Sequence, residues 1–122
     1  MILAKGVSNV DFSTMKPELR AKILDEVGEA LVKRGEHEQA ATAFSIAGSP
    51  KVREMSSYFL QHGLPSVAAA YAQHLASHND RAFVEDVATR SLHEGDSARA
   101  KRLFHKTGNE TMVRFIEENF PE

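Results

Sequence analysis

Apolar side chains recur along this chain at the three-to-four-residue spacing of α-helices, and the same arrangement occurs three times. Each occurrence is interrupted by a glycine: Gly35, Gly63 or Gly95. An alanine follows each glycine by five residues, and a small residue precedes it by seven. These positions are Ala40, Ala68 and Ala100 after the turn, and Gly28, Ser56 and Ala88 before it. The pattern predicts an internal repeat of helix hairpins, with small residues where the two helices cross closely.

The predicted elements are seven helices, and no segment has the alternating pattern of a strand. Pro17 is typical of the first residue of a helix, and Gly35 of a left-handed helix end. Later helices are predicted to begin at Asn79-Asp80, which offers an N-cap, at Gly95-Asp96-Ser97 and at Gly108-Asn109. The second helix is predicted from Glu36 to Ala47, and the apolar residues of the other six span 19–32, 52–59, 67–75, 83–92, 100–104 and 112–120.

The length of 122 residues favours one domain, which we expect to cover residues 16–122. Residues 1–15 form a separate N-terminal segment with several apolar side chains. We expect this segment to pack either over an open end of the helices or against another copy of the chain. It has too few consecutive apolar residues for a signal peptide or a membrane-spanning helix.

The first repeat contains a spaced set of apolar and small residues that ends in a proline: Leu24, Val27, Gly28, Leu31, Gly35, Ala40, Phe44, Ala47 and Pro50. This set resembles the pattern of the tetratricopeptide repeat family. The resemblance implies an all-α fold, a right-handed α-solenoid of about three antiparallel hairpins with a C-terminal capping helix. The glycine spacings of 28 and 32 residues are shorter than the family's repeat, so the later repeats also fit a looser helical-hairpin solenoid of the kind found in coat and scaffold proteins.

The resemblance also implies a concave groove, lined by the first helix of each hairpin, that binds a peptide or a partner helix. The groove positions carried over are Lys22, Asp25, Glu29, Val32, Arg53, Ser57, Leu60, Glu85, Thr89 and Leu92. Val32, Leu60 and Leu92 are either an apolar groove floor or ordinary contacts between neighbouring helices. The lysine and asparagine residues with which some family members clamp a terminal carboxylate are missing.

The amino-acid composition and the motifs limit the binding partners and reactions that we expect. The formal net charge is −2, so no overall positive field draws the chain onto nucleic acid or an acidic membrane. The chain has no cysteine, which fits a reducing compartment, and we expect a cytoplasmic protein. His74 and His78 have a helical metal-binding spacing, but no third ligand is near in sequence. With no phosphate-binding loop and no nucleophile motif, we expect neither an enzyme nor a cofactor or metal site.

A cluster of basic residues, the basic stripe, lies in the sixth predicted helix: Arg99, Lys101, Arg102 and Lys106. It is a site for phosphates, a site for an acidic protein, or a solvated helix face. Our main hypothesis is a non-catalytic module that binds a protein through the concave groove. The alternatives are self-association through terminal hairpins, and weak binding of nucleic acid or an acidic partner through the basic stripe. We expect no membrane partner.

Overall fold

The computed structural model describes residues 16–75 and 78–120, and every regular element in these ranges is helical. This confirms the all-α class for the part of the chain that is described. Residues 1–15, for which packing was predicted, lie outside it. The elements are α1 (Pro17–Lys33), α2 (His37–Ala47), α3 (Lys51–Gln61), α4 (Pro65–Ala72), a 3₁₀ turn (His78–Asp80), α5 (Arg81–His93), α6 (Ser97–Lys106) and α7 (Glu110–Asn119).

Most helix ends follow from local sequence signals. Pro17 is the first residue of α1, where its missing N–H costs no hydrogen bond. Gly35 ends the first helix at a φ of +75°, a conformation that residues with a Cβ rarely adopt. The carboxylate of Asp96 accepts a hydrogen bond from the Arg99 backbone N–H at 3.2 Å. Asn109 caps α7 in the same way, so the helix starts predicted at these two places are confirmed.

Two details differ from the prediction. Asp80 occupies the N-cap position of α5, as predicted for Asn79-Asp80, but its side chain makes no capping hydrogen bond; its carboxylate pairs with the Arg53 guanidinium at 3.4 Å. The fourth helix ends at Ala72, although the apolar pattern continues to Leu75. Leu75 lies after the end of this helix and is partly buried against both core clusters. Its apolar side chain is therefore explained by burial and not by a position on a helix face.

Successive helices pair as expected for hairpins: α1 packs against α2, α3 against α4, and α5 against α6. The second helices of the hairpins also contact each other, α2 with α4 and α4 with α6, and α7 packs against α6. None of the helices in the described ranges is both long and apolar enough to cross a lipid bilayer.

The helix α4 lies at the centre of the molecule, in contact with α2, α3, α5 and α6. Its residues from Ala68 to Ala72 are all buried, and four of the five are alanines, which allow neighbouring helices to approach closely. The buried residues form two clusters that meet at this helix. The first core cluster is Leu24, Leu31, Ala40, Ala41, Ala43, Phe44, Val52, Ala70 and Tyr71; the second is Leu60, Ala68, Ala69, Ala72, Val84, Val87, Ala88, Ala100, Leu103, Phe104, Val113 and Ile116.

The small residues before each turn lie inside the hairpins. A Cβ atom added at Gly28 would stand 2.4 Å from Cε1 of Phe44, well inside van der Waals contact. Ser56, the equivalent residue of the second hairpin, is fully buried, and its hydroxyl donates to the Ala68 carbonyl oxygen at 2.8 Å. Ala88 is fully buried in the third. The first crossing therefore has no room for a side chain at Gly28, and the other two hold small, fully buried side chains.

Candidate interaction surface

On α1, the predicted groove positions are polar and tied to the next hairpin. Lys22 is exposed, and Val32 is partly buried against the first core cluster. The ammonium group of Lys51, at the start of α3, donates to Asp25 Oδ2 at 2.5 Å and to Glu29 Oε1. The hydrogen bond from Lys51 lowers the pKa of the Asp25 carboxyl, and the hydrogen bonds to Asp25 and Glu29 raise the pKa of Lys51.

On α3, Arg53 is the most engaged of the predicted groove residues. Its guanidinium carbon lies 3.5 Å from the centroid of the Phe83 ring on α5, in addition to the ion pair with Asp80. Ser57 is partly exposed and accepts a hydrogen bond from Gln61 Nε2 at 3.3 Å. Leu60 is only 6% exposed and belongs to the second core cluster.

On α5, the carboxylate of Glu85 accepts hydrogen bonds from Thr107 Oγ1 at 2.8 Å and Asn109 Nδ2 at 3.1 Å. Both donors lie in the turn that leads into α7. The exposed Thr89 donates to the backbone oxygen of Glu85, and Leu92 packs partly buried against the second core cluster.

Asp25, Arg53 and Glu85 occupy the same repeat position, ten residues before the turn glycine. Each reaches across to the residues that begin the next helix pair: Asp25 to Lys51, Arg53 to Phe83, and Glu85 to Asn109. One position of the repeat therefore joins each first helix to the structure that follows it. Sequence reasoning missed these contacts between hairpins because the partners are 24 to 30 residues apart in the chain. The one sequence signal for them was that the three residues stand at the same distance from their turn glycines.

The three residues considered as a groove floor all pack against the core. Leu60 is buried, whereas Val32 and Leu92 are partly buried at equivalent positions of the first and third hairpins. The structure thus gives each of them contacts between helices. Their contact with a ligand stays a prediction.

An acidic row that sequence reasoning missed follows the next position of the repeat, nine residues before each turn glycine. Glu26 on α1, Glu54 on α3 and Asp86 on α5 are all exposed. Asp86 pairs with Arg90 on its own helix, with 3.3 Å between Oδ1 and Nε. Glu26 and Glu54 make no hydrogen bond or ion pair with any residue that the structure describes. The acidic row therefore presents carboxylates on three helices.

The basic stripe on α6 is partly neutralised. Arg99 donates to Glu38 Oε1 at 2.9 Å, across from α6 to α2, and Lys101 pairs with Glu117 of α7 at 3.1 Å. Arg102 and Lys106 are exposed. The open cleft between α6 and α7 is lined by residues of both charges, Lys101, Arg102 and His105 with Glu110 and Glu117. A mixed lining of this kind gives no strong attraction for a phosphate backbone.

His37 is part of an aromatic cluster that links the first two hairpins. Its Nδ1 lies 2.8 Å from the Tyr71 hydroxyl, and its ring centroid lies 4.7 Å from that of Phe59. Burial raises the pKa of Tyr71 to about 12 and lowers the pKa of His37. At neutral pH the phenol is therefore protonated and donates to the neutral imidazole. The group is a buried structural contact between α2 and α4.

His74 has a buried Nε2 atom with no hydrogen-bond partner among the described residues. Burial lowers its pKa, Lys106 lowers it further, and Glu38 opposes the shift. The side chain of His78, its neighbour in the metal-binding spacing, lies outside the described residues. Within the described ranges, no three His, Cys, Asp or Glu side chains are grouped so that they could hold a metal ion.

A scan against protein-family models, a search of curated proteins and a search of solved structures each gave no match. The similarity to tetratricopeptide repeats therefore rests on the quoted residues of this chain.

Proposed function

We propose that the chain is a non-catalytic protein-interaction module of the cytoplasm, a right-handed solenoid of three hairpins capped by α7. Its ligand is a basic segment of a partner protein, bound along the face of α1, α3 and α5. Two features support the solenoid: each hairpin packs against the next through its second helix, and the position of Asp25, Arg53 and Glu85 joins successive units in the same register.

The observation that carries the binding proposal is the acidic row. Its three carboxylates occupy one repeat position on successive first helices, whose side chains meet directly, Lys51 with Asp25 and Arg53 with Phe83. We take the spacing of the row as roughly 10 Å, the distance between the axes of adjacent helices. An extended peptide rises about 3.3 Å per residue, which places every third side chain about 10 Å apart. A segment with lysine or arginine at every third position therefore matches the row, and Glu26 and Glu54 have no other partner among the described residues.

The basic stripe supports a binding function less well. Two of its four members, Arg99 and Lys101, already pair with carboxylates of this chain. Their guanidinium and ammonium groups would have to exchange those partners before they could bind phosphate. The pairs instead connect α6 to α2 and to α7.

The test is fluorescence anisotropy with a labelled extended peptide that carries lysine at every third position, compared with a peptide of the same composition and irregular spacing. We expect the regular peptide to bind more tightly, and the preference to shrink as salt rises because exposed charges are screened. The double variant Glu26→Gln/Glu54→Gln should weaken binding of the regular peptide by roughly threefold to tenfold.

The matched control is Glu18→Gln/Glu94→Gln, which removes the same charge at exposed sites outside the acidic row. Equal weakening in both variants would show attraction by net charge alone and would refute the row as a site. Equal affinity for the two peptides would refute the spacing.

A further inference from the structure

The outer face of α7, together with Phe120 directly after it, carries apolar side chains that the described residues leave exposed. Phe115 is 45% exposed and Phe120 is 41% exposed, and their ring centroids lie 6.4 Å apart. Met112, one turn before Phe115, is partly buried at the edge of the second core cluster. The opposite side of the helix is held in that cluster by Val113 and Ile116. The helix therefore has two apolar sides, one buried in the second core cluster and the other exposed.

The internal repeat shows how this face differs from its equivalents. Each residue of α7 lies 60 positions after its equivalent in α3, as the turn glycines Gly48 and Gly108 show. The α3 equivalent of Phe120 is Leu60, which is 6% exposed, and that of Phe115 is Met55, which is partly buried against the first core cluster. In α3 these positions are covered because α4 packs against that helix. No described helix packs in this way on α7.

Two charged residues flank the open face. Arg114 and Glu118 are both exposed, and neither makes a hydrogen bond or an ion pair with a described residue. Arg114 and Glu118 are one turn apart on the same side of the helix, yet they do not pair with each other. Some other cations of the molecule, including Lys51, Arg99 and Lys101, do have carboxylate partners.

We propose that this face, Met112, Phe115 and Phe120 with Arg114 and Glu118, is a homodimer interface in which the α7 helices of two copies pack antiparallel about a two-fold axis. In an antiparallel pair centred on Ile116, residues whose numbers add to 232 lie level with each other. This single register places Arg114 of each copy beside Glu118 of the other. It also places Met112 near the end of the partner helix, where Phe120 follows Asn119, so the same alignment brings the apolar side chains together.

The second copy is favoured as the occupant because an isologous contact needs a self-complementary face. A flank that carries one cation and one anion at equal distances from the centre meets this condition, and it forms two equal ion pairs. The surface is separate from the acidic row on α1, α3 and α5, so the dimer does not depend on the proposed peptide binding.

The test is sedimentation equilibrium from about 5 to about 500 μM, a range suited to an interface made by one helix from each copy. We expect a monomer–dimer equilibrium. Phe115→Ser and Phe120→Ser should each lower the association constant by about tenfold or more, as expected for central aromatic side chains. Tyr58→Ser is the matched control, since Tyr58 is an equally exposed aromatic residue on α3, and it should leave the association constant unchanged.

Charge reversal tests the register. Arg114→Glu and Glu118→Arg should each weaken the dimer by roughly threefold to tenfold, because each places like charges together twice. The double variant Arg114→Glu/Glu118→Arg should restore the association constant. A monomer at every concentration, or a dimer that is insensitive to the phenylalanine substitutions, would overturn the proposal. A dimer that loses affinity with phenylalanine substitution but is not rescued by the charge exchange would overturn the antiparallel register.

Discussion

Replacement of Gly28 by alanine tests how the first hairpin is held together. The added Cβ would lie 2.4, 2.7 and 2.8 Å from three carbon atoms of the Phe44 ring. Since carbon atoms in contact prefer about 3.5–4.0 Å, the ring must move by about 1 Å. Phe44 is only 1% exposed and sits in the first core cluster, so the displacement is transmitted to neighbouring side chains.

Two effects of opposite sign decide the stability of Gly28→Ala. Overpacking of a close-packed core costs about 1–3 kcal/mol. Replacement of a mid-helix glycine by alanine returns about 1 kcal/mol through helix propensity. We therefore expect a net loss of about 1 kcal/mol, which corresponds to a melting temperature lower by about 3–6 °C for a domain of this size.

The assay is urea unfolding followed by circular dichroism, with Glu26→Ala and Glu26→Gly as controls. Glu26 is an exposed residue of the same helix, so the difference between its two variants measures the propensity term alone. Adding Phe44→Leu to Gly28→Ala should give a favourable coupling of about 0.5 kcal/mol or more, because the shorter side chain makes room for the new methyl group. If Gly28→Ala stabilises the protein by the full propensity difference, the steric account of this crossing is wrong.

Three further substitutions test other parts of the interior. Ala68→Leu should overpack the second hairpin and cost about 1–3 kcal/mol in thermal or urea unfolding; an unchanged melting temperature would show that the repeat register is wrong. Ser56→Ala removes the buried hydrogen bond to the Ala68 carbonyl oxygen and should cost about 1 kcal/mol, while Ser57→Ala should change stability much less. The lowered pKa of His74 means that the unfolded chain binds protons first, so stability is full above pH of about 6.5 and falls as the pH drops below it. His74→Gln should reduce this fall in urea titrations between pH 7 and 5 without abolishing it, because burial also lowers the pKa of His37; an unchanged fall would refute the role of His74.

The helices could be predicted from sequence because their signals are local. Pro17 and Asn109 act on the backbone of their own helix, and Gly35 acts on its own φ angle. Asp80 shows the limit of such signals, because it takes the N-cap position without making the capping hydrogen bond. A carboxylate at that point can cap the following helix or pair with a cation elsewhere, and the position of Arg53, which decides between these, depends on how two hairpins stack.

The polar contacts of the candidate surface were harder to predict for the same reason. The family resemblance placed Asp25, Glu29 and Glu85 among the groove positions for a ligand. The structure gives all three internal partners, Lys51 for the first two and Asn109 for the third. The burial of Leu60 likewise depends on how closely the alanine-rich α4 approaches it. That distance cannot be predicted from the spacing of apolar residues within one helix.

The repeat register separates side chains that hold the molecule together from those left for a partner. Adjacent helix positions point about 100° apart, so a side chain directed at the next hairpin is followed by one directed into solvent. Asp25 and Arg53 therefore bind within the chain, while Glu26 and Glu54, one residue later, remain exposed without a described partner. If these helix faces served only to hold the hairpins together, the residue type would be restricted at the position of Asp25 and Arg53. The next position, that of Glu26 and Glu54, could then carry a side chain of either charge. We propose that a ligand accounts for the acidic residue at this position in all three hairpins, because Glu26 and Glu54 make no described polar contact and Asp86 pairs only within its own helix.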